Sequence, residues 1–294
     1  MGNGLPSGAP VSAAGVDPPA GGGVELTVHP DPTPADSAAV AGDRSAAARG
    51  VEVVCAIPAR WGSRRLPGKP LLELAGRPLI EHVYRRASRA RGLSRVVVLT
   101  DDERIRDAVA GFGGEVEMTP ADCASGSDRI AWAARRWRAP AIVNVQGDEP
   151  LIDPRAIERV VERLRSVPRD PIVTLAAPAR AEELDDPNAV KVVRDRRGYA
   201  LYFSRARIPY RRDPEAPAVP VMKHLGIYGY QRAALLELAS LAPTPLERSE
   251  RLEQLRALEH GMAIQVLEVA AAEPGVDTAD DLARAAVRLA ALDG

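Results

Sequence analysis

The 294-residue chain is poor in lysine and in aromatic residues, and its charges almost cancel. Only three of its 39 basic residues are lysines, and Phe, Trp and Tyr together make up 4%. Nucleic-acid-binding domains usually carry a basic footprint, which a net charge of -1 does not provide. The composition therefore argues against a nucleic-acid partner. It also makes Lys69, Lys191 and Lys223 worth locating individually.

Cysteine and long apolar runs are scarce as well. The two cysteines, Cys55 and Cys123, have no paired histidines, so the pattern predicts neither a zinc site nor a disulfide framework. It fits a reducing compartment. No apolar stretch reaches the roughly 18 residues needed to cross a bilayer. We therefore expect a cytoplasmic protein without a membrane partner.

Residues 1–49 are rich in Gly, Ala, Pro, Ser and Asp and show little apolar periodicity. Such a segment buries too little apolar surface to offset the entropy of ordering it. Two interpretations stay open: a disordered extension, and a start codon assigned too far upstream. The folded domain is predicted at 50–294.

From residue 51 onward, short apolar runs alternate with amphipathic segments. Strands are predicted at 51–57, 95–100, 115–119, 141–146 and 171–177, and helices at 78–91, 102–112, 127–138 and 154–165. This alternation predicts an α/β fold with a Rossmann-like, mostly parallel sheet and helices on both faces. Ligands of such folds bind beyond the carboxyl ends of the strands.

In the second half of the chain, predicted strands and helices no longer alternate regularly. A hairpin is predicted at 190–194 and 199–204, followed by a strand at 224–230, a helix at 247–259, a strand at 263–269 and a helix at 278–292 with Thr278 as N-cap. We interpret about 184–222 as a small antiparallel insertion. Exposed hairpins of this kind often pair between subunits, which favours a homodimer.

The loop at 58–70, after the first strand, carries the clearest chemical signal. It combines two glycines, three prolines and four cations. Glycines let backbone N–H groups approach a phosphate, and fixed cations neutralise its charge. Pro70 follows Lys69, so the loop is not a Walker A motif. The pattern favours phosphate binding over an ordinary basic surface loop.

Of two aspartates that stand before helices, the first is a candidate metal ligand. Asp148 follows a buried strand, where a carboxylate can hold Mg²⁺ together with phosphate oxygens. The alternative is a turn carboxylate that caps the next helix. Asp277 precedes the last helix, and a role beside the N-cap is a strong structural explanation for it.

Polar residues of the second half could line a ligand pocket. His224 and Tyr228 are four residues apart on a predicted strand and therefore share one face. A histidine in an apolar strand can also be a hydrogen-bonded core residue. Arg205 offers paired donors that suit a carboxylate.

The chain resembles the 3-deoxy-manno-octulosonate (Kdo) cytidylyltransferases. These enzymes carry a loop like I-P-A-R-x-x-S-x-R-L-P-G-K-P, which matches 57–70. The resemblance covers about 240 residues. It continues through 121–126, 144–150, 188–192, 199–205, 224–230, 252–256 and 275–278.

The resemblance implies the nucleotide-diphospho-sugar transferase fold and transfer of CMP from CTP to Kdo, for lipopolysaccharide synthesis. Lys69, Arg60 and Asp148 would be catalytic. Mg²⁺ would bind Asp148 and Asp277. CTP would bind Pro58, Ala59, Arg60, Ser63, Arg65, Lys69, Ser125, Gly126, Arg129 and Gln146. The sugar would bind Arg205, His224, Tyr228, Glu253 and Gln254.

The chain departs from the family pattern in several places. Cys123 and Ala124 replace more polar residues, Arg64 stands where Thr is frequent, and two residues are missing before Asp277. Three alternatives stay open: an 8-amino-Kdo enzyme, a neuraminate-like enzyme and a non-catalytic nucleotide-sugar sensor. The L-P-G-K-P run counts against a neuraminate enzyme, and the two retained aspartates count against a sensor.

Overall fold

The computed structural model describes residues 1–2, 51–62, 66–213, 215, 217, 219–271, 273 and 275–293. Apart from Met1 and Gly2, the predicted extension 1–49 lies outside the described residues. Its disorder therefore stays a prediction. All elements given below belong to the compact unit Ala47–Gly294.

Within these residues, the strands are β1 Val53–Ala59, β2 Glu73–Leu74, β3 Arg77–Pro78, β4 Arg95–Thr100, β5 Val116–Met118, β6 Ala141–Asn144, β7 Ile172–Pro178, β8 Lys191–Arg194, β9 Ala200–Ser204, β10 Met222–Gln231 and β11 Ile264–Glu268. The α-helices are α1 Leu79–Ala87, α2 Glu103–Gly111, α3 Gly126–Ala134, α4 Pro154–Ser166, α5 Arg232–Ser240, α6 Pro245–Glu250, α7 Gln254–Glu259 and α8 Ala279–Asp293. Short 3-10 helices lie at Lys69–Leu71 and Ala181–Glu183.

The main sheet confirms the predicted, mostly parallel arrangement. Its central path has the order β11-β7-β10-β6-β1-β4-β5. Neighbours pair in parallel except β10, which is antiparallel to both β6 and β7. The hairpin β8–β9 is antiparallel, as predicted, and joins the sheet through β8 and β10.

Alternating side chains of the central strand explain why helices cover both faces. Val53, Cys55 and Ile57 pack into one buried apolar cluster, while Val54 and Ala56 pack into a second. A strand buried on both sides reads as a continuous apolar run, because neither face tolerates water. The loop that follows β1 is thereby held at the carboxyl edge of the sheet.

One predicted helix proved wrong. Residues 247–259 form two short helices, α6 and α7, because Arg251 adopts a left-handed backbone with φ 53° between them. Such a residue interrupts right-handed helical geometry. The predicted cap of the last helix is confirmed: the Asp281 amide donates to Thr278 Oγ1 at 3.2 Å.

None of the helices within the described residues combines the length and the apolar character that crossing a membrane requires.

Candidate active site

A cleft of ≈ 650 Å³ opens at the carboxyl ends of β1 and β6. Loops from four parts of the chain line it. The lining residues are Pro58, Ala59, Arg60, Gly62, Lys69, Pro70, Cys123, Ala124, Ser125, Gly126, Arg129, Gln146, Gly147, Asp148 and Asp277. Every predicted nucleotide-binding residue that the structure describes lies in this lining. Ser63 and Arg65, and the variant position Arg64, fall outside the described residues.

The centre of the cleft is an ion-paired cluster of three side chains. Lys69 Nζ lies 2.6 Å from Asp148 Oδ2 and 3.0 Å from Asp277 Oδ1. Burial by itself would lower the pKa of Lys69, but the two carboxylates outweigh it and hold that pKa above its ordinary value. Lys69 is therefore a cation throughout the physiological range.

The missing residues before Asp277 do not displace it from Asp148. The Val276 amide donates to the Asp148 carbonyl at 2.8 Å, and the Val276 carbonyl accepts from Lys69 Nζ at 3.0 Å. A Cβ on Gly275 would lie 3.4 Å from the same Asp148 carbonyl. The backbone of this loop thus packs directly on the loop after β6 and fixes where Asp277 stands.

Gly147 allows the loop after β6 to approach the end of strand β1. A Cβ at this position would lie 2.8 Å from the carbonyl oxygen of Pro58, closer than such atoms pack. Both groups belong to backbone next to buried strands, so neither can move away cheaply. Packing against Pro58 therefore requires glycine at position 147, directly before Asp148. Asp148 does not cap α4, a role that Asp153 takes.

The loop around Cys123 is held by helix α3 and by an arginine. Ser125 caps α3 by accepting a hydrogen bond from the Asp128 amide at 3.1 Å. Arg129 is almost fully buried, donates to Asp101 at 3.1 Å and also bonds Thr119. Through these contacts Arg129 stabilises the loop before α3, whose residues 123–126 line the cleft.

A second pocket of ≈ 270 Å³ adjoins the first, and Gln146 lines both. It contains four of the five predicted sugar-binding residues, His224, Tyr228, Glu253 and Gln254. The structure therefore brings the predicted nucleotide and sugar residues to adjacent cavities.

His224 lies in this pocket as an uncharged side chain. Burial lowers its pKa to about 3. Its Nε2 is 3.0 Å from the Thr174 hydroxyl. The same hydroxyl lies 2.8 Å from the Ile227 carbonyl, at an irregular stretch of β10. The neutral imidazole can thus serve as a hydrogen-bonding group but does not supply a positive charge.

Glu253 connects the two cavities. Its carboxylate accepts hydrogen bonds from Ser125 and Ser127, each at 3.1 Å. Ser125 lines the first cavity, and Ser127 lines the second. Burial raises the pKa of Glu253, against the opposing effect of these two donors.

Arg205 is the predicted sugar residue that does not line the second pocket. Its guanidinium donates to the carbonyls of Glu250 at 2.7 Å and Pro187 at 2.8 Å. It therefore anchors the segment after β9 to helix α6. Buried Lys191 also holds backbone carbonyls, and Lys223 pairs with Glu183 at 2.6 Å. Of the three lysines, Lys69 is the one in the cleft.

Sequence reasoning predicted Tyr228 in the second pocket but missed Asn144, whose amide also lines it. Asn144 Oδ1 and Tyr228 Oη are buried and find no hydrogen-bond partner among the described residues. Asn144 and Tyr228 are paired across β6 and β10. The position of Asn144 at a strand end, just before Gln146, was the available signal. Unpaired buried polar atoms in a pocket are suited to bind a polar ligand.

The fold and the cleft define a class of protein. A loop with a lysine cation and two converging carboxylates stands at the carboxyl edge of a mostly parallel α/β sheet, as in nucleotide-binding α/β enzymes. The sequence profile described as cytidylyltransferase matches residues 54–264. The chain belongs to the cytidylyltransferase family, a family of nucleotidyltransferases, and its predicted grouping with the 3-deoxy-manno-octulosonate cytidylyltransferases is confirmed.

The relatives define this grouping. A 3-deoxy-manno-octulosonate cytidylyltransferase of Syntrophotalea carbinolica is 50% identical over 250 residues, covering 82% of this chain and 100% of the relative. An 8-amino-3,8-dideoxy-manno-octulosonate cytidylyltransferase of Shewanella piezotolerans is 49% identical over 245 residues, covering 82% and 99%.

A solved structure shares the fold. The structure of CMP:2-keto-3-deoxy-manno-octonic acid synthetase complexed with CTP is 44% identical and matches with a TM-score of 0.79, covering 82% of this chain and 99% of that one.

Proposed function

We propose that this chain transfers CMP from CTP to the anomeric hydroxyl of 3-deoxy-manno-octulosonate and releases pyrophosphate. The observation that carries the proposal is the Lys69–Asp148–Asp277 cluster, which lies in a nucleotide-sized cleft beside a polar pocket. The names of relatives that align over nearly their whole length support the same reaction. The product would serve lipopolysaccharide synthesis.

The triphosphate would lie against the loop after β1. Arg60 and Lys69 provide its cations, and Gly62 leaves room for the backbone to approach an oxygen. The cytosine would lie on the loop 123–126, where backbone groups can read the base without polar side chains at Cys123 and Ala124. Arg129 would hold this loop in place.

Asp148 and Asp277 would hold Mg²⁺. The residues fit this ion, because two carboxylates converge on one cationic position and Mg²⁺ takes its other ligands from phosphate and water. Among the described residues, no group of three or more His, Cys, Asp or Glu forms an all-protein metal cage. When bound, the ion would neutralise phosphate charge and lower the pKa of the attacking hydroxyl.

The sugar would occupy the second pocket. Neutral His224, Tyr228, Gln254 and the carboxylate of Glu253 offer donors and acceptors for hydroxyl groups. The anomeric oxygen attacks the α-phosphorus, and a P–O bond forms as the bond to pyrophosphate breaks and the hydroxyl proton passes to water. The chain contributes chiefly by positioning and by charge stabilisation.

An 8-amino sugar is the second candidate acceptor. A relative with that name aligns over as much of this chain as the Kdo enzymes do. The charged group that lines the second pocket is the carboxylate of Glu253, which would complement an ammonium group. The two acceptors differ in one substituent and can be compared directly.

We also propose a cytoplasmic homodimer. Leu201, Tyr210 and Val219 are large apolar side chains that remain 63%, 87% and 68% exposed, and all three belong to β9 or the segment that follows it. Exposed apolar groups of this kind often pack between subunits. Sedimentation equilibrium should give twice the chain mass, and a monomer at micromolar concentration would contradict this part.

A pyrophosphate-release assay tests the reaction. The chain is incubated with CTP, MgCl₂ and Kdo, 8-amino-Kdo or N-acetylneuraminate, with ATP, GTP and UTP as alternative nucleotides. We expect release with CTP and Kdo. Release only with the 8-amino sugar or only with neuraminate would assign a different acceptor. Absence of release with every pair, despite CTP binding, would indicate a non-catalytic sensor.

A further inference from the structure

The loop that carries Lys69 is closed by Trp61. The Gly68 amide donates to the Trp61 carbonyl at 3.1 Å, which joins the two ends of the segment. Arg60, Gly62 and Lys69 line the cleft, whereas the Trp61 side chain does not. The indole therefore lies outside the nucleotide cavity, at the base of the loop.

The indole packs directly under the residue that precedes Lys69. Gly68 has a φ of 69°, and a Cβ there would lie 2.8 Å from the Trp61 Cη2 atom. Gly68 is also the N-terminal cap of the 3-10 helix Lys69–Leu71. The indole ring thus fixes the position and direction of the backbone at Gly68, directly before Lys69.

Helix α2 holds the ring in turn. The guanidinium carbon of Arg104 lies 3.4 Å from the centroid of the Trp61 ring. Arg104 donates to both carboxylate oxygens of Asp102, at 2.9 and 2.6 Å, and Asp102 caps α2. The stacked cation is therefore oriented and its charge is balanced. A continuous series of contacts runs from α2 through Arg104 and Trp61 to Gly68 and Lys69.

We propose that Trp61 and Arg104 are positioning residues for the nucleotide: they hold Lys69 at the place where it meets the phosphates. This inference rests on the proposed function, since it assumes that the cleft binds CTP. Neither residue is among those that line the nucleotide cleft. Their effect should fall on CTP affinity and leave the affinity for the sugar unchanged, because none of the described residues of this loop lines the sugar pocket.

The test measures the CTP dissociation constant by calorimetry, and KM for each substrate, in matched variants. Trp61→Ala should weaken CTP binding about tenfold, because Lys69 loses its support. Trp61→Phe should restore most of the affinity, since a ring remains against Gly68. Arg104→Ala should weaken binding about two- to fivefold, as expected for one exposed cation–π contact.

The chain contains a matched control pair. Arg136 stacks on Trp132 at 3.7 Å in and after α3, and it also pairs with a carboxylate. Trp132→Ala and Arg136→Ala remove the same chemistry elsewhere and should leave CTP affinity within twofold of the wild type. Thermal melting of every variant separates loss of positioning from loss of folding.

The possible results distinguish failure of the proposed function from failure of the positioning inference. If the wild type binds no CTP, the proposed function itself fails. If the wild type binds CTP and folded Trp61→Ala binds it within twofold of the wild type, the positioning inference is overturned. It is also overturned if CTP and sugar affinities fall together, or if Trp61→Phe is as weak as Trp61→Ala.

Discussion

The ammonium nitrogen of Lys69 lies 2.6 Å from a carboxylate oxygen of Asp148. The residue expected to hold phosphate and a residue expected to hold metal are thus direct partners. A metal ion that approaches Asp148 must compete with this ammonium group. Nucleotide phosphates, by contrast, offer Lys69 other oxygens and release the carboxylates. Metal and nucleotide binding should therefore strengthen each other.

Lys69→Met should separate these effects. Loss of the cation should weaken CTP binding at least tenfold. It should also tighten Mn²⁺ binding to the nucleotide-free chain roughly tenfold, because the competing charge is gone. Electron paramagnetic resonance of free Mn²⁺ measures the second effect without any turnover. Unchanged Mn²⁺ affinity would contradict the competition.

Asp148→Asn should lower kcat by about 100-fold or more, with CTP affinity much less affected, because the neutral amide is a poor Mg²⁺ ligand. Asp153→Asn is the matched control. It lies five residues further along and caps α4. We expect it to keep normal turnover, since Asn is also a good cap. Near-normal turnover of Asp148→Asn at saturating magnesium would refute the metal assignment.

Gly147→Ala should abolish most activity and lower stability by about 1–3 kcal/mol, because the added Cβ meets the Pro58 carbonyl at 2.8 Å. Gly111→Ala serves as comparison. It is in helix α2, and nothing lies within 4 Å of its added Cβ. Alanine there should be neutral or slightly stabilising. Urea unfolding and the pyrophosphate assay measure both, and equal behaviour of the two variants would contradict the packing argument.

The partly buried, uncharged state of His224 predicts a pH dependence of stability. Its pKa is lowered to about 3 in the folded chain, whereas an unfolded histidine titrates near its ordinary value. The unfolded state therefore binds more protons below about pH 6.5. The contribution of His224 to the free energy of unfolding should therefore fall as the pH drops from 6.5 towards 3, by up to about 1.4 kcal/mol per pH unit.

His224→Gln removes this titration and should flatten the change in urea midpoint between pH 7 and pH 5. His260→Gln, at an exposed histidine after α7, is the control. It should retain the wild-type slope. A His224→Gln slope equal to that of the wild type would show that His224 does not stay neutral in the folded chain.

Much of the fold could be predicted because its signals are local and periodic. The continuous apolar run of β1 and the amphipathic spacing of α4 reflect which faces of these elements are buried. The spacing of apolar residues along the chain indicates those faces directly. The break at Arg251 could not be predicted in this way. Nothing in its neighbours marks a left-handed residue, and apolar spacing continues across it.

The site was predictable where a residue type has one dominant use, and less so where geometry decides. Lys69 and Asp148 stand out through their motifs. Arg205 does not line the sugar pocket because its guanidinium donates hydrogen bonds to the carbonyls of Pro187 and Glu250. Both residues are distant from Arg205 in the sequence, so this placement could not be predicted. The contact of Arg104 with Trp61 is likewise set by tertiary packing.

The hydrogen bond from the Val276 amide to the Asp148 carbonyl has a consequence for how the chain tolerates change. This backbone contact, next to Asp277, and the ion pairs of Lys69 with both carboxylates together set the distance between the two loops. The length of the segment that leads up to Gly275 does not enter these contacts. Insertions or deletions before Gly275 would be absorbed upstream, so the spacing of the two acidic groups can be inherited unchanged while the connecting segment varies in length.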